Sequence, residues 1–230
     1  RKDSLYIGAE IDVGTNSRTS SRPIGISGRP CYGCIMVKDT RTRLMETAAD
    51  LVQDRGYHGL AVAELLTLSD APRGSLYFHF PEGKDQLVAT VTREGVEAVT
   101  ESLRATLAAE KSAGRAIRKI LEAAAAALEA SDFRFGSPTA PLVLDGLQAG
   151  SEIATLTGEA YAGWVSFFEA ALSATGVPAK RAASLALLVE ASFEGLLIIS
   201  RAQRNASALR TGARELEEIV EAAVATAPKN

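Results

Sequence analysis

Apolar side chains recur at helical spacing from residue 40 to near the end of the chain. In the first such segment Leu44, Ala48, Leu51 and Val52 fall at i, i+4, i+7 and i+8, which places them on one face of a helix. Gly56 then supplies a C-terminal stop. Because no segment alternates apolar and polar residues in the manner of a strand, the pattern predicts an all-α fold.

Two short helices follow the first one. The second is predicted from Val62 to Leu68, and the third from near Pro72, a residue that suits a first helical turn because its missing N–H needs no partner there. The break at residues 69–71 has the length of the turn in a helix-turn-helix motif. These helices are predicted to form an N-terminal domain over residues 36–84.

Residues 85–230 are predicted to form a second domain of longer helices. One starts near Lys84, and others are expected at 114–130, 138–149, 151–175, 178–204 and 207–226. Between Ala182 and Ile199 nearly every position is apolar or small, around the whole helix. Such a helix must be buried on all sides. We therefore expect a homodimer in which two helices from each subunit pair, with a monomeric core helix as the alternative.

Residues 1–35 differ from the rest of the chain, because they are rich in Gly, Ser, Arg and Thr and lack a helical period. This composition predicts a disordered extension, and its arginines leave open a basic arm that touches DNA. Cys31 and Cys34 are spaced like zinc ligands or a redox pair, but the second ligand pair and the strand-to-helix context are missing. No metal and no cofactor are predicted.

Composition and charge narrow the function only a little. The chain is 47% hydrophobic and 23% charged, as globular proteins are, and its net charge of -3 does not indicate nucleic acid. No run of about 18 apolar residues and no signal-peptide core is present, so we expect no membrane span and a cytoplasmic location. With two histidines and no nucleophile beside a base, the sequence predicts no enzyme.

The most specific signal is the run Gly74-Ser75-Leu76-Tyr77-Phe78-His79-Phe80, with Lys84 after it. A helix enters the major groove only when its leading turn is small and polar, as the turn beginning at Arg73 is. The Arg73 guanidinium suits a guanine edge, and Lys84 at the start of the next helix suits a phosphate. Leu76 and Phe80 are expected to point inward. The alternative is that the aromatic residues of the run form a small core.

This ordered run, together with Thr40-Arg41-x-Arg43-Leu44 and Gly56-Tyr57, resembles the N-terminal pattern of the TetR family of regulators. The connection from Phe80 to Lys84 resembles the LmrA/YxaF-like branch. The resemblance spans residues 40–87 and implies a three-helix helix-turn-helix DNA-binding domain, followed by a helical ligand-binding and dimerisation bundle. By resemblance, Arg73, Ser75 and Tyr77 are expected to face DNA, with Thr40, His79 and Lys84 on its backbone. The placement of Arg41 and Arg43 at a helix terminus, and the room that Gly74 leaves for the duplex, add these three residues to the expected DNA-binding set.

Three features of this region depart from the family pattern. Leu60 and Ala61 stand where a Ser or Thr usually caps the second helix and touches phosphate. Asp70 replaces the usual turn glycine, although Asp tolerates the left-handed conformation better than most residues. Pro72 replaces the usual serine cap of the third helix. Residues 36–85 also hold more acidic than basic side chains, so the basic groups must be concentrated where DNA is met.

Aromatic residues cluster late in the chain, and Glu190 and Glu194 share one face of an otherwise apolar helix. A mostly apolar cavity with a few polar groups is the usual ligand site of a helical bundle. The alternative is that the aromatic residues are ordinary core side chains and that the two glutamates form a narrow stripe exposed to solvent. The expected ligand-binding residues are Leu142, Tyr161, Trp164, Phe167, Phe168, Glu190, Phe193 and Glu194.

The sequence thus predicts a transcriptional regulator that binds a double-stranded DNA operator as a homodimer. We expect a repressor that a small, largely apolar effector releases from DNA, with the helix that begins at Lys84 linking the two domains. A helical ligand-binding or scaffolding dimer without DNA binding is the alternative.

Overall fold

The computed structural model describes residues 38–227, and every regular element among them is an α-helix. The prediction of an all-α fold is confirmed. The helices in chain order are α1 Thr40–Arg55, α2 Val62–Leu68, α3 Ser75–His79, α4 Lys84–Ala109, α5 Ala113–Ala130, α6 Ala140–Leu144, α7 Glu152–Ala174, α8 Ala179–Gln203 and α9 Ser207–Ala225. The expected extension at residues 1–35, with Cys31 and Cys34, lies outside the described residues.

Helices α3 and α6 are shorter than predicted by more than two residues. Helix α3 begins at Ser75 and not near Pro72, because residues 72–75 form a turn closed by a bond from the Ser75 N–H to the Pro72 carbonyl at 2.9 Å. Helix α6 ends at Leu144, and Gly146 then adopts a φ of +69°, a left-handed conformation that stops a helix.

The apolar side chains form two clusters, and α4 contributes to both of them. Leu87 and Val91 pack with the buried residues of α1–α3 in the head, which is the helix-turn-helix part of the molecule. Val99 and Leu103, further along α4, pack with α5 and α7–α9 in the effector domain. Leu142 of α6 and Ile153 of α7 also belong to the head cluster. The head core therefore extends beyond the expected boundary at residues 84/85.

Helix α8 has different surroundings on different sides. Leu185, Val189 and Phe193 are buried in the effector-domain core, whereas other apolar side chains are exposed. These exposed side chains are Leu187, Leu188, Ile198 and Ile199. By length and hydropathy alone, α8 is the one helix among the described residues that is able to cross a membrane. Because α8 packs against α7 and α9, burial in a hydrophobic core also explains its apolar composition.

Helix α1 has a side-chain cap at its N-terminus, whereas α2 and α3 have none. The Asp39 carboxylate caps α1 by accepting a hydrogen bond from the Thr42 N–H at 2.7 Å, and this bond lowers the pKa of Asp39. The N-cap of α2 is Ala61, which has no side-chain oxygen to offer. Asp70, after α2, has a φ of +48°, in the left-handed region that the family pattern assigns to glycine.

The missing cap predicts a stabilising substitution. Ala61→Ser places a hydroxyl where it accepts a bond from the first turn of α2, so we expect the free energy of unfolding to rise by about 1 kcal/mol. Urea unfolding followed by circular dichroism measures this change. Ala63→Ser, at an exposed position inside α2, is the control and should cost about 0.5 kcal/mol. Equal effects of the two substitutions would contradict the capping argument.

Candidate DNA-binding surface and effector cavity

Helix α3 separates its residues into a buried and an exposed set. Leu76 is fully buried and Phe80 is 2% exposed, as the sequence predicts. Tyr77 is 63% exposed and Phe78 is 81% exposed, and Arg73 in the preceding turn is exposed as well. Tyr77 and Phe78 therefore do not join Phe80 in the small aromatic core considered as the alternative. They lie on an outer surface beside the exposed guanidinium of Arg73.

The turn that leads into α3 leaves open space on its outer side. A Cβ atom added to Gly74 would meet no protein atom within 4 Å, so packing inside the protein does not require glycine there. The Ser75 hydroxyl donates to the Pro72 carbonyl at 2.7 Å and steadies the turn. This open space is compatible with the close approach of a DNA backbone.

The N-terminus of α1 and the end of α3 contribute further groups to this surface. The Arg41 guanidinium lies 5.4 Å from the centre of the Phe80 ring, and Thr40 is half-buried beside it in sequence at the first position of α1. The His79 ring packs edge-on against Phe78 at 4.9 Å. We refer to these residues, with Arg73, Tyr77, Phe78 and Lys84, as the recognition surface.

Lys84 is held at the first position of α4 by an aromatic ring. Its ammonium lies 4.1 Å from the centre of the Tyr57 ring, and burial lowers the pKa of Lys84. The Tyr57 hydroxyl donates to the Asp85 carboxylate, and this bond raises the pKa of Tyr57 to about 12. Gly83, with a φ of +72°, admits the Tyr77 ring, since an added Cβ would be 3.1 Å from Tyr77 Cε1.

Arg43 has a different setting from the other expected DNA-binding residues. Its Nε donates to the Ser69 carbonyl at 2.8 Å, and its Nη2 donates to the Asp70 carbonyl at 3.0 Å. Its Nη1 donates to the Lys38 carbonyl at 2.8 Å. The guanidinium thus ties α1 to the turn between α2 and α3. This internal use of its donors points to positioning of α3 as the role of Arg43.

Several acidic groups of the head lie at the opposite end of α1 from Thr40 and Arg41. Asp54 pairs with Arg55, and Arg55 also pairs with Glu64 at 2.9 Å. The Asp54 carboxylate additionally faces Arg201 of α8 at 3.5 Å. Part of the acidic excess of the head is therefore neutralised by ion pairs away from the recognition surface. This agrees with the expectation that the basic groups of the head are concentrated where DNA is met.

Helices α6, α7 and α8 enclose an apolar cavity of about 380 Å³, open on one side, which we call the effector cavity. Its lining residues are Ala140, Val143, Leu144, Tyr161, Val165, Leu187, Glu190, Ala191, Glu194 and Ile198. A second cavity of about 280 Å³ shares Ala140, Leu144, Glu194 and Ile198 with it and reaches the head. The sequence singled out three residues of the effector cavity, Tyr161, Glu190 and Glu194.

The two glutamates are strongly affected by burial. Burial, reinforced by the negative charge of Glu194, raises the pKa of Glu190 to about 8. Burial also raises the pKa of Glu194, although hydrogen bonding from Ser137 and Tyr161 offsets part of this effect. Burial and the nearby Glu194 raise the pKa of Tyr161 to about 12. The glutamates are thus not the solvated stripe considered as the alternative.

The other expected ligand-binding residues lie in the hydrophobic cores and line neither of these two cavities. Leu142 is fully buried in the head core. Trp164, Phe168 and Phe193 are buried in the effector-domain core, where the Trp164 Nε1–H donates to Thr100 at 3.0 Å. Phe167 packs against that core from its edge. Spacing placed Trp164 and Phe168 on one helix face, but did not show whether that face meets another helix or a cavity.

Comparison with known proteins assigns both parts of the chain. Residues 44–91 match the family model for bacterial regulatory proteins of the tetR family. Residues 113–215 match the model for the C-terminal domain of LmrA/YxaF-like transcriptional regulators. The chain belongs to the TetR family of transcriptional regulators. The resemblance inferred from residues 40–87 is confirmed, and so is the expectation that the protein is not an enzyme, since this is a family of regulators.

Named relatives of this TetR-family regulator agree with the assignment. The chain is 28% identical to the transcriptional regulator LmrA of Bacillus subtilis, over 74% of this chain and 91% of LmrA. It is 25% identical to YxaF of the same organism, over 79% of this chain and 95% of YxaF. A TetR-family regulator from Streptomyces coelicolor has the same fold, with a TM-score of 0.71 and 16% identity over 80% of this chain and 95% of that one. A regulator from Legionella pneumophila has a TM-score of 0.69 and 19% identity, over 80% of this chain and 97% of that one.

Sequence reasoning missed Phe78 as a member of the recognition surface of this TetR-family regulator. Its 81% exposure makes it the most exposed large apolar side chain among the described residues. An apolar side chain in this position is suited to contact a thymine methyl group. The available signal was its place between Tyr77 and His79, on the helix side opposite Leu76 and Phe80.

The different settings of Arg41 and Arg43 predict different defects. Arg43→Ala removes charge-assisted bonds to backbone carbonyls, so the free energy of unfolding should fall by about 1.5–3 kcal/mol. Arg41→Ala removes an exposed side chain and should change this free energy by less than about 0.5 kcal/mol. Urea unfolding of both variants measures the difference. A larger loss for Arg41→Ala would contradict the internal role of Arg43.

Proposed function

We propose that this regulator is a repressor that binds its operator as a homodimer and is released by a small molecule bound in the effector cavity. The observation that carries the DNA-binding part is the recognition surface, on which Arg73, Tyr77 and Phe78 are exposed beside the buried Leu76 and Phe80. A short helix with this division inserts its outer side into the major groove. A cytoplasmic location, where such DNA lies, is part of the proposal.

The proposed contacts with DNA are of two kinds, namely contacts to base edges and contacts to phosphates. Arg73 reads a base edge, and Tyr77 and Phe78 follow it along the groove. Thr40, Arg41, His79 and Lys84 contact phosphates, while Ser75 and Gly74 shape the turn and Arg43 holds it in place. The ammonium of Lys84 lies at the N-terminus of α4, where the helix dipole adds to its attraction for phosphate.

The dimer interface is the outer side of α8 and α9. Leu188 and Ile199 of α8 are each 45% exposed, and Ile219 of α9 is 39% exposed. Together with Leu196 and Leu216 they line an apolar groove of about 380 Å³ between the two helices. Pairing two copies over this groove buries these side chains in a four-helix contact and sets two heads about one DNA turn apart.

The effector cavity is coupled to the head through two elements. Arg201, one turn after Ile198 on α8, donates to the carbonyls of Gln53 and Asp54 at 3.1 and 2.9 Å, at the end of α1. Asp145, next to Leu144 of α6, accepts a bond from the His58 N–H at 3.0 Å. A ligand that prefers a shifted α6 or α8 therefore shifts the head as well, and its differential affinity supplies the free energy for release.

The base-reading role of Arg73 is testable with DNA selected from a random pool. Arg73→Ala should reduce discrimination against the wrong base at one position by about 1–3 kcal/mol. Lys84→Ala should weaken binding to all sequences alike and lower the slope of log affinity against log salt by about one. Fluorescence anisotropy over a salt series measures both effects. The reverse pattern would overturn these roles, and absence of salt-dependent DNA binding by the wild type would favour a dimer without DNA binding.

The coupling role of Arg201 predicts an uncoupled variant. The affinity of Arg201→Gln for the operator should lie within about threefold of the wild-type affinity. The factor by which the effector lowers operator affinity should be about tenfold smaller in this variant than in the wild type. Anisotropy is measured with and without a compound that releases the wild-type protein, chosen by screening small aromatic molecules. Arg204→Gln is the matched control, because Arg204 pairs with Asp132 outside the head. Equal release of both variants would contradict coupling through Arg201.

A further inference from the structure

The effector cavity contains a buried carboxylate that has an unpartnered oxygen. Glu190 is 5% exposed, and its Oε1 atom has no hydrogen-bond partner among residues 38–227, which the structure describes. Within the same residues the Oε2 atom of Glu194, one helical turn further along α8, also lacks a partner. A buried polar group without a partner costs folding free energy. A helix that served only packing would be more stable with apolar residues at both positions, so the two carboxylates point to a ligand.

Among the described residues, the lining of the cavity supplies no cation to this pair. The lining of the effector cavity contains no Lys, Arg or His, and besides the two glutamates its only polar side chain is Tyr161. Arg201 is the next basic residue along α8, but its guanidinium is bound to the carbonyls of Gln53 and Asp54 and faces the Asp54 carboxylate. Ionisation of Glu190 or Glu194 therefore leaves a negative charge in apolar surroundings without an internal counterion.

We propose that the effector is a small organic cation, such as an aromatic ammonium compound, whose positive group lies between Glu190 and Glu194. This inference rests on the proposed function and names its ligand class. The apolar part of the cation fills the cavity between α6 and α7, where Val143 and Val165 lie, and the Tyr161 ring offers a cation–π contact. The volume of about 380 Å³ is that of a small drug-sized site.

The carboxylates also make binding depend on pH. Because burial raises the pKa of Glu190 to about 8, this side chain holds a proton at neutral pH. A permanent cation favours the ionised form and displaces the proton, so its affinity should rise between about pH 6 and pH 8. Tyr161, the titratable group that faces the pair from α7, has a pKa of about 12 and stays neutral throughout.

Other charged groups near the pair are held by partners. Asp145, at the end of α6, accepts the His58 N–H bond, and Asp54 of α1 pairs with Arg55 and Arg201. These groups line the neighbouring cavity that shares Glu194, and not the effector cavity. Glu190 and Glu194 are therefore the groups to which we assign the pH dependence.

A matched pair of probes tests the charge directly. Phenyltrimethylammonium carries a permanent charge, and tert-butylbenzene is its neutral isostere. Trp164 is the only tryptophan of the chain and packs edge-on against Tyr161 at 5.4 Å, so its fluorescence reports binding without DNA. For the double variant Glu190→Gln, Glu194→Gln we expect about a tenfold or greater loss of affinity for the cation, and less than about a twofold change for the isostere. The rise in cation affinity with pH should disappear in this variant.

Two controls keep the outcome interpretable. Glu159→Gln makes the same change at an exposed position of α7 and should leave both affinities unaltered. The double variant should unfold at a temperature at least equal to that of the wild type at pH 8, because it removes buried carboxylates. Failure of the wild type to bind the cation at millimolar concentration, or an equal loss for both probes, overturns the proposal. Operator binding is measured separately, so such a failure leaves DNA recognition intact.

Discussion

Burial of α4 in two hydrophobic cores is the constraint on which the rest of this structure depends. Leu87 and Val91 are required by the head, and Val99 and Leu103 by the effector domain. A rigid helix shared by two cores does not allow one to rotate without straining the other. The head is therefore oriented by the effector domain, and this gives the proposed binding of a small molecule among α6–α8 a mechanical route to the head.

The route is reinforced away from α4. Arg201 binds the carbonyl end of α1, Asp145 binds the backbone at His58, and Leu142 is buried inside the head core. Each of these residues lies on or next to an element that lines the effector cavity. The three contacts differ in kind, being a charge-assisted bond, a backbone bond and apolar packing. A shift of α6 or α8 therefore changes several contacts with the head together.

Helix α8 combines three roles because its sides differ in what they meet. One side of α8 packs in the effector-domain core, and a second side places Glu190 and Glu194 in the lining of the effector cavity. On a third side, Leu188 and Ile199 are exposed beside α9. An apolar helix of this length resembles a membrane span by composition alone. Its buried carboxylates have a cost in folding free energy, and a ligand that pairs with them recovers that cost only when bound. This makes the cavity suited to regulation.

Local sequence patterns determined the helices and the exposed or buried sides of α3. The 3.6-residue period, the stop at Gly56 and the order from Arg73 to Lys84 predict elements that need no knowledge of distant contacts. The turn before Ser75 was mistaken for helix, because Pro72 is compatible with both. The internal role of Arg43 was likewise invisible, since its partners at Ser69 and Asp70 lie 26 and 27 residues away.

The effector cavity was predicted only in part for the same reason. Periodicity places Trp164, Phe168 and Glu190 on inward faces, but an inward face meets either packed side chains or empty space according to how α6, α7 and α8 approach one another. The sequence by itself determined the family, the helices and the order of buried and exposed residues along α3, because these depend on neighbours along the chain. Tertiary structure alone decided which inward residues line a cavity and which guanidinium groups are occupied, because these depend on contacts between distant segments.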